Sequence, residues 1–229
     1  MIKKYDQITL ATDSIKGEKR KLNQDSTLFI ETSTYFLLFL FDGVSSIETS
    51  INFIEDCKRY IKGNYSHYFR NDYIGLADLL FQTNQYVIND GAYGMSTCSA
   101  VYINKENLTA FCVNIGDSRI YEYTNQYLES VTEDDVLPGT TNVLTKSLGD
   151  FRLEINDFVQ KQISFDVGLL LCSDGFYRVM EKQKLRLFTI LQFKKAGDVV
   201  KALTNSLLGN NLDDSTYIII RKNGISNGK

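Results

Sequence analysis

At 229 residues, with a formal net charge of −3 and a pI near 5.3, the chain has room for one large domain with a real core and too little for two, so a single domain over residues 1–229 is expected. No run of Lys or Arg is interleaved with aromatics, which removes the electrostatic footprint of a nucleic-acid binder. The longest apolar stretch is far too short to cross a bilayer, and Met1-Ile2-Lys3-Lys4-Tyr5-Asp6-Gln7 turns polar before any leader-like apolar region, so a cytoplasmic protein with no membrane partner is expected.

Residues 27–30 and 35–41 read as two strands, and a helix follows whose apolar face is Ile47, Ile51, Ile54 and Ile61. A second helix has the face Leu76, Leu79, Leu80, Thr83 and Val87, and Gly91 and Gly94 end it. Residues 97–103, 108–115, 118–123 and 127–131 are short strands separated by Asn, Gly and Asp turns, as in an antiparallel meander. After a loop at Pro138-Gly139, residues 143–148 and 168–173 add ordered segments. Residues 182–192 and 197–208 then read as helices, the second with Val200, Leu203 and Leu207 on its face, and 216–221 closes as a strand. Strand blocks interrupted by helix pairs, without strict alternation, predict an α+β fold with helices covering sheets. The polar tail 223–229 is expected to fray.

Four cysteines, Cys57, Cys98, Cys112 and Cys172, form no C-x-x-C pair, and three of them lie in apolar strand-like segments, which predicts buried free thiols. His67 is the single histidine and lies in a polar, Tyr-rich stretch. Neither a His/Cys zinc site nor a Ser-His-Asp or Cys-His nucleophile is therefore expected.

The chemistry collects at carboxylates. The run Phe36-Leu37-Leu38-Phe39-Leu40-Phe41 stops at Asp42-Gly43, Leu169-Leu170-Leu171-Cys172 stops at Ser173-Asp174-Gly175, and Asp213-Asp214-Ser215-Thr216 opens into Tyr217-Ile218-Ile219-Ile220. Any one of these alone reads first as a turn that bounds a strand. Three acidic strand ends far apart in sequence are harder to explain by turns. Carboxylates held at the rim of a rigid sheet suit hard divalent cations, which prefer oxygen ligands and need charge compensation.

An ordered set of motifs extends the pattern over most of the chain: Gly17-Glu18-Lys19-Arg20-Lys21-Leu22-Asn23-Gln24-Asp25, Phe41-Asp42-Gly43, Ser96-Thr97, Asn114-Ile115-Gly116-Asp117-Ser118-Arg119, Asn142-Val143-Leu144-Thr145-Lys146-Ser147-Leu148-Gly149, Leu171-Cys172-Ser173-Asp174-Gly175 and Asp213-Asp214-Ser215-Thr216. In order and spacing it resembles the metal-dependent protein phosphatases of the protein phosphatase 2C (PPM) family, in their compact bacterial form. The resemblance implies an α+β four-layer sandwich, two antiparallel β-sheets flanked by pairs of α-helices. It implies a hydrolase, a serine/threonine phosphoprotein phosphatase in which a metal-bridging hydroxide attacks the phosphomonoester, with two tightly bound Mn²⁺ or Mg²⁺ ions and a third, weaker one. Asp42 would bridge two ions with the Gly43 carbonyl as a further ligand, Asp174 and Asp213 would hold the first, and Asp117 would help bind the third beside Asp174. Asp25 would be the charged group nearby, and Arg20 would take the substrate phosphate. Phosphorylated proteins would be the substrates, a cognate serine/threonine kinase the opposing partner, and the protein a monomer.

Three departures bear on this. Val44-Ser45-Ser46 replaces the family's H-G-G or M-G-G, which removes a His that would protonate the leaving oxygen and leaves that task to water on the metal. Gln24 stands where some members carry a metal-contacting Glu, and the connection 132–141 is too short for the usual flap. The altered D-G-V-S-S loop supports a competing reading, a pseudophosphatase that binds or regulates without turnover. Against it stands the full carboxylate set, which would repel itself without cations. Of the remaining residues, Arg119 reads as an ion-pair partner, Asp214 as a supporting residue next to a ligand, and Asp150 as a turn residue. Tyr65, Tyr68 and Tyr73 form a candidate binding patch.

Overall fold

The computed structural model describes residues 1–70, 73–140, 143–163 and 165–223. Asn142, the end of the 132–141 connection and all but the first residue of the 223–229 tail lie outside the described residues. In chain order the elements are β1 (Ile2–Lys4), β2 (Ile8–Ile15), β3 (Asp25–Glu31), β4 (Tyr35–Gly43), α1 (Ser50–Asn64), β5 (Phe69–Arg70), β6 (Tyr73–Ile74), α2 (Leu76–Asn89), β7 (Ser96–Asn104), β8 (Ala110–Ile115), β9 (Arg119–Tyr123), β10 (Leu128–Ser130), β11 (Lys161–Ile163), β12 (Gly168–Cys172), α3 (Asp174–Met180), α4 (Lys184–Leu191), α5 (Ala196–Leu207) and β13 (Ser215–Lys222). No described helix is long and apolar enough to cross a membrane.

The chain divides into two compact units. One comprises Gln24–Arg119 and Thr132–Ser164, the other Met1–Asn23, Ile120–Val131 and Phe165–Lys229. The first holds an antiparallel sheet of order β11-β8-β7-β4-β3 with α1 and α2. Strand β4, interior between β7 and β3, is a continuous apolar run because both faces are buried. Leu37, Phe39 and Phe41 pack with Phe53, Ile54, Cys57 and Ile61 of α1 and Leu76, Leu79 and Leu80 of α2, while Phe36, Leu38 and Leu40 on the opposite face are equally withdrawn from water. Each such side chain contributes roughly 1.5–3 kcal/mol, which makes β4 a stiff support for whatever follows Phe41. The buried stripe of α1 is Ser50, Phe53, Ile54, Cys57 and Ile61. Of the expected face, Ile54 and Ile61 are buried in this stripe, whereas Ile47 precedes the helix and Ile51 lies on its flank. The α2 face is as expected, with Asn84 added. Tyr65 and Tyr68 pack against this core and do not form a free surface, whereas Tyr73 is 59% exposed.

The second unit holds a sheet of order β1-β2-β13-β12-β9-β10 with α3, α4 and α5. Leu170, Cys172, Tyr217 and Ile219 on one face pack with Phe176, Leu187, Leu191, Leu203 and Leu207 of its helices. All four cysteines are free and buried.

The meander expectation fails at one point. β7 and β8 pair in one sheet and β9 and β10 in the other, so the chain changes sheet at Gly116-Asp117-Ser118, where Gly116 adopts φ +100°. The expected order over 143–148 reduces to bridges at Leu144 and Leu148. Strands β1, β2, β5, β6 and β11 and helix α3 have no counterpart in the sequence reading.

Candidate active site

One end of the first sheet collects three carboxylates. Asp25 of β3 stands directly opposite Asp42 of β4, and Asp42 stands opposite Thr97 of β7. Directly opposed residues in an antiparallel pair have Cβ atoms about 4.5–5.5 Å apart, and like charges so placed are unfavourable without a counter-charge. Ser96 Oγ donates to the Asp42 carbonyl at 3.0 Å, and the Thr97 and Ser118 hydroxyls share a hydrogen bond of 2.7 Å, which seats Asp117 beside the same strand end. Asp117 is 5% exposed. The Gly43 N–H donates to the Gln24 carbonyl at 3.3 Å, and a Cβ at Gly43 would lie 2.9 Å from that oxygen, so Gly is needed for β4 to end there. Gln24 Nε2 donates to the Ile47 carbonyl at 3.2 Å, tying down the Val44-Ser45-Ser46 loop.

One end of the second sheet collects Arg20, Asp174 and Asp213. Strands β12 and β13 are antiparallel, so Asp174 just past the end of one lies beside Asp213 just before the start of the other. Gly175 and Gly17 make this closeness possible. A Cβ on Gly175 would meet the Asp214 carbonyl at 2.0 Å, and one on Gly17 would meet Asp213 backbone carbon at 2.4 Å. Asp214 is 3% exposed and its Oδ1 accepts the Gly17 N–H at 2.8 Å, so it holds the Arg20-bearing turn, as its supporting reading implies. Arg20 Nε donates to Asp213 Oδ1 at 2.5 Å and Nη2 to Asp213 Oδ2. That hydrogen bond pushes the Arg20 guanidinium above its usual range against the opposing effect of burial, with Asp214 and Asp174 adding to the rise. Asp174 pairs with Arg178 at 2.9 Å, a partner the sequence reading did not find, although its i,i+4 spacing on α3 was the available signal.

Other readings resolve directly. Arg119 forms a two-point ion pair with Asp134, at 2.9 and 2.7 Å, and Asp150 caps its own turn by accepting the Arg152 N–H at 2.9 Å. Burial pushes the thiols of Cys57, Cys98 and Cys112 up, which removes them as nucleophiles. A cavity of about 610 Å³ lined by Tyr35, Phe69, Tyr73 and Tyr102 lies at the other end of the first sheet, away from the carboxylates.

The donor set is made of carboxylate and carbonyl oxygens, with His67 held instead against Arg70 at 2.9 Å, so it fits a hard divalent cation and not zinc. Among the described residues, no group of three or more His, Cys, Asp or Glu side chains is placed to hold a metal ion.

The two antiparallel sheets, each with its own helices, have the fold of the PPM serine/threonine phosphatases. The PPM Ser-Thr phosphatase MsPP from Mycobacterium smegmatis in complex with cacodylate aligns over 92% of this chain and 97% of its own, with a TM-score of 0.72 and 20% identity. RsbX in complex with magnesium aligns over 97% and 99% with a TM-score of 0.72 and 12% identity. The Mycobacterium tuberculosis serine/threonine phosphatase PstP/Ppp aligns over 94% and 98% with a TM-score of 0.72 and 19% identity. No family model and no curated protein sequence matches the chain.

Proposed function

We propose that the chain is a Mn²⁺- or Mg²⁺-dependent serine/threonine phosphoprotein phosphatase, working as one catalytic domain, a monomer in the cytoplasm, on proteins phosphorylated by a cognate kinase. Asp42 with the Gly43 carbonyl, Asp25, Asp117, Asp174 and Asp213 serve as the metal residues, and Arg20 as the phosphate anchor. The carrying observation is the direct opposition of Asp25 and Asp42 at the end of β4, a placement that is unfavourable unless a cation compensates it. Support comes from neighbours of the same fold: MsPP and PstP/Ppp are named as serine/threonine phosphatases, and RsbX is in complex with magnesium. Divalent ions bound there supply an acidified water and offset the charge that builds on the phosphoryl oxygens. The chain's own residues position and neutralise. Asp213 orients the Arg20 guanidinium by engaging Nε and Nη2, which presents the Nη1 edge to a phosphoryl oxygen.

Hydrolysis of p-nitrophenyl phosphate by the full chain tests this reading: release that requires Mn²⁺ and is abolished by a chelator supports it, and no metal-dependent release overturns it. Arg20→Ala is expected to raise KM and lower kcat together, because the guanidinium meets the phosphoryl group in both ground and transition states, and Lys should rescue it only partly. Steady-state kinetics on a phosphopeptide check this, and unchanged constants would remove Arg20 as the anchor.

The described part of the 132–141 connection is a turn. Leu137 O accepts the Thr140 N–H at 3.0 Å, with Pro138 and Gly139 (φ +83°) in the two central positions, the arrangement of a type II turn. A turn this short makes few contacts to residues flanking a phosphoserine, so kcat/KM over a panel of phosphopeptides with varied flanks should spread within about tenfold, near 1.4 kcal/mol. A thousandfold spread would assign selectivity to some other element.

A further inference from the structure

The turn that carries Asp117 is gripped from the short connection, and that grip gives the connection a role other than a lid. The Gly116 N–H donates to Asp135 Oδ2 at 3.0 Å, and the Asp135 N–H returns a bond to the Gly116 carbonyl at 3.0 Å. One residue earlier, Asp134 takes both donors of Arg119 at 2.9 and 2.7 Å, so neighbouring acids hold the two ends of the Gly116-Asp117-Ser118-Arg119 turn. The grip is itself braced. Lys146 Nζ lies 3.6 Å from Asp135 Oδ1 and 3.1 Å from Asp157 Oδ1, and the Asp135 carbonyl accepts the Thr145 N–H at 2.8 Å.

The need for such a brace follows from the backbone. Gly116 at φ +100° marks the place where the chain leaves β8 for the other sheet, and a Cβ there would meet Thr97 Cγ2 at 2.6 Å, so this residue has no side chain of its own to anchor it, and its carbonyl also accepts from Asn114 Nδ2 at 3.2 Å. A buried N–H outside a ladder requires a partner, and the Asp135 carboxylate is that partner. The Asp135 carboxylate is 22% exposed.

We propose that Asp135, braced by Lys146, is a positioning residue: it fixes the Gly116-Asp117 turn so that Asp117 is presented in one geometry to a weakly held divalent cation. The inference rests on the phosphatase reading for its catalytic consequence, but its structural half, the clamp on Gly116, stands without it. The short connection thus sets how readily the weak cation site fills.

The test uses the full chain with Asp135→Ala, Asp135→Asn and Lys146→Met. Amide hydrogen exchange at Gly116 reports the clamp directly, because local opening governs exchange whether or not the protein turns over substrate. Asp135→Ala should speed exchange at Gly116 about tenfold, the scale of one lost charge-assisted hydrogen bond, and Asp135→Asn, which keeps an acceptor oxygen, should return most of the protection. Lys146→Met should give a smaller increase. In turnover, Asp135→Ala should shift the Mn²⁺ concentration for half-maximal kcat upward about tenfold, with KM for p-nitrophenyl phosphate within about twofold of the parent, and Asn should rescue. Parent-like exchange at Gly116 in Asp135→Ala, or in Lys146→Met if the Ala variant does not fold, overturns the proposal. Equal metal-dependence defects in Ala and Asn also overturn it, since charge and not the hydrogen bond would then be at work. A parent protein without metal-dependent turnover would refute the phosphatase reading while the exchange result still decided the clamp.

Discussion

Asp42→Asn is expected to lower turnover by at least about 10³-fold, the upper end of what one preorganised electrostatic group contributes, while the protein stays folded. The substitution removes a charge from the end of β4 with almost no change in volume, so the apolar run behind it keeps its packing. Its effect on stability should carry the opposite sign from its effect on activity. Without metal, Asp25 and Asp42 face each other across the ladder, and replacing one by an amide relieves a like-charge pair of about 0.2–1 kcal/mol. Thermal unfolding without metal should therefore show the variant equal to the parent or slightly more stable, and saturating Mn²⁺ should reverse that order. A variant with near-normal kcat would remove Asp42 from the metal set.

Gly175→Ala should be among the most damaging methyl additions available to this chain. Its Cβ would lie 2.0 Å from the Asp214 carbonyl oxygen and 3.1 Å from Asp213 Cβ, and a backbone oxygen cannot swing aside as a side chain can. The segments that place Asp174 and Asp213 must then separate. The expected cost is about 3 kcal/mol or more, roughly 6–12 °C in Tm for a chain of this size, together with loss of activity in the protein that remains folded. Gly63→Ala is the matched control. Gly63 lies in α1 with nothing within 4 Å of an added Cβ, so the same methyl should stabilise by up to about 1 kcal/mol. Denaturant titration of both variants checks the pair, and similar effects in the two would show that the 213–214 segment is not tightly seated on Gly175.

What the sequence made legible is what is local or strongly periodic. The β4 run, the α2 stripe, the Pro138-Gly139 turn and the acidic strand ends each announce themselves within a dozen residues, because burial and turn chemistry act at that range. What it hid depends on distant partners. β2 carries Thr12, Asp13 and Ser14 in its middle and is a strand because it lies along β13, two hundred residues away, with Thr12 Oγ1 donating to the Tyr217 carbonyl at 2.7 Å. β1 is wholly exposed and has no burial pattern to read. The passage between sheets at Gly116 resembles any other Gly-Asp turn until the pairing of β8 and β9 is known. α3 escaped because Asp174-Gly175 reads as a turn, and a seven-residue helix with glycine in its first turn has little periodicity to show. In the candidate site the charged residues were visible as motifs, whereas the Arg178 partner of Asp174 and the Asp135 and Lys146 clamp on Gly116 were not, since an ion pair or clamp leaves no signature until the backbone brings its members together.

The central claim, that these carboxylates hold divalent cations that drive phosphomonoester hydrolysis, is met most directly by titrating metal-stripped full-length protein with Mn²⁺ while bound metal and phosphate release from a phosphoserine peptide are followed in parallel. The account predicts that phosphate release rises with metal occupancy and that both are lost together in Asp42→Asn. Metal bound to saturation with no phosphate released, or phosphate released with no metal bound, would contradict it.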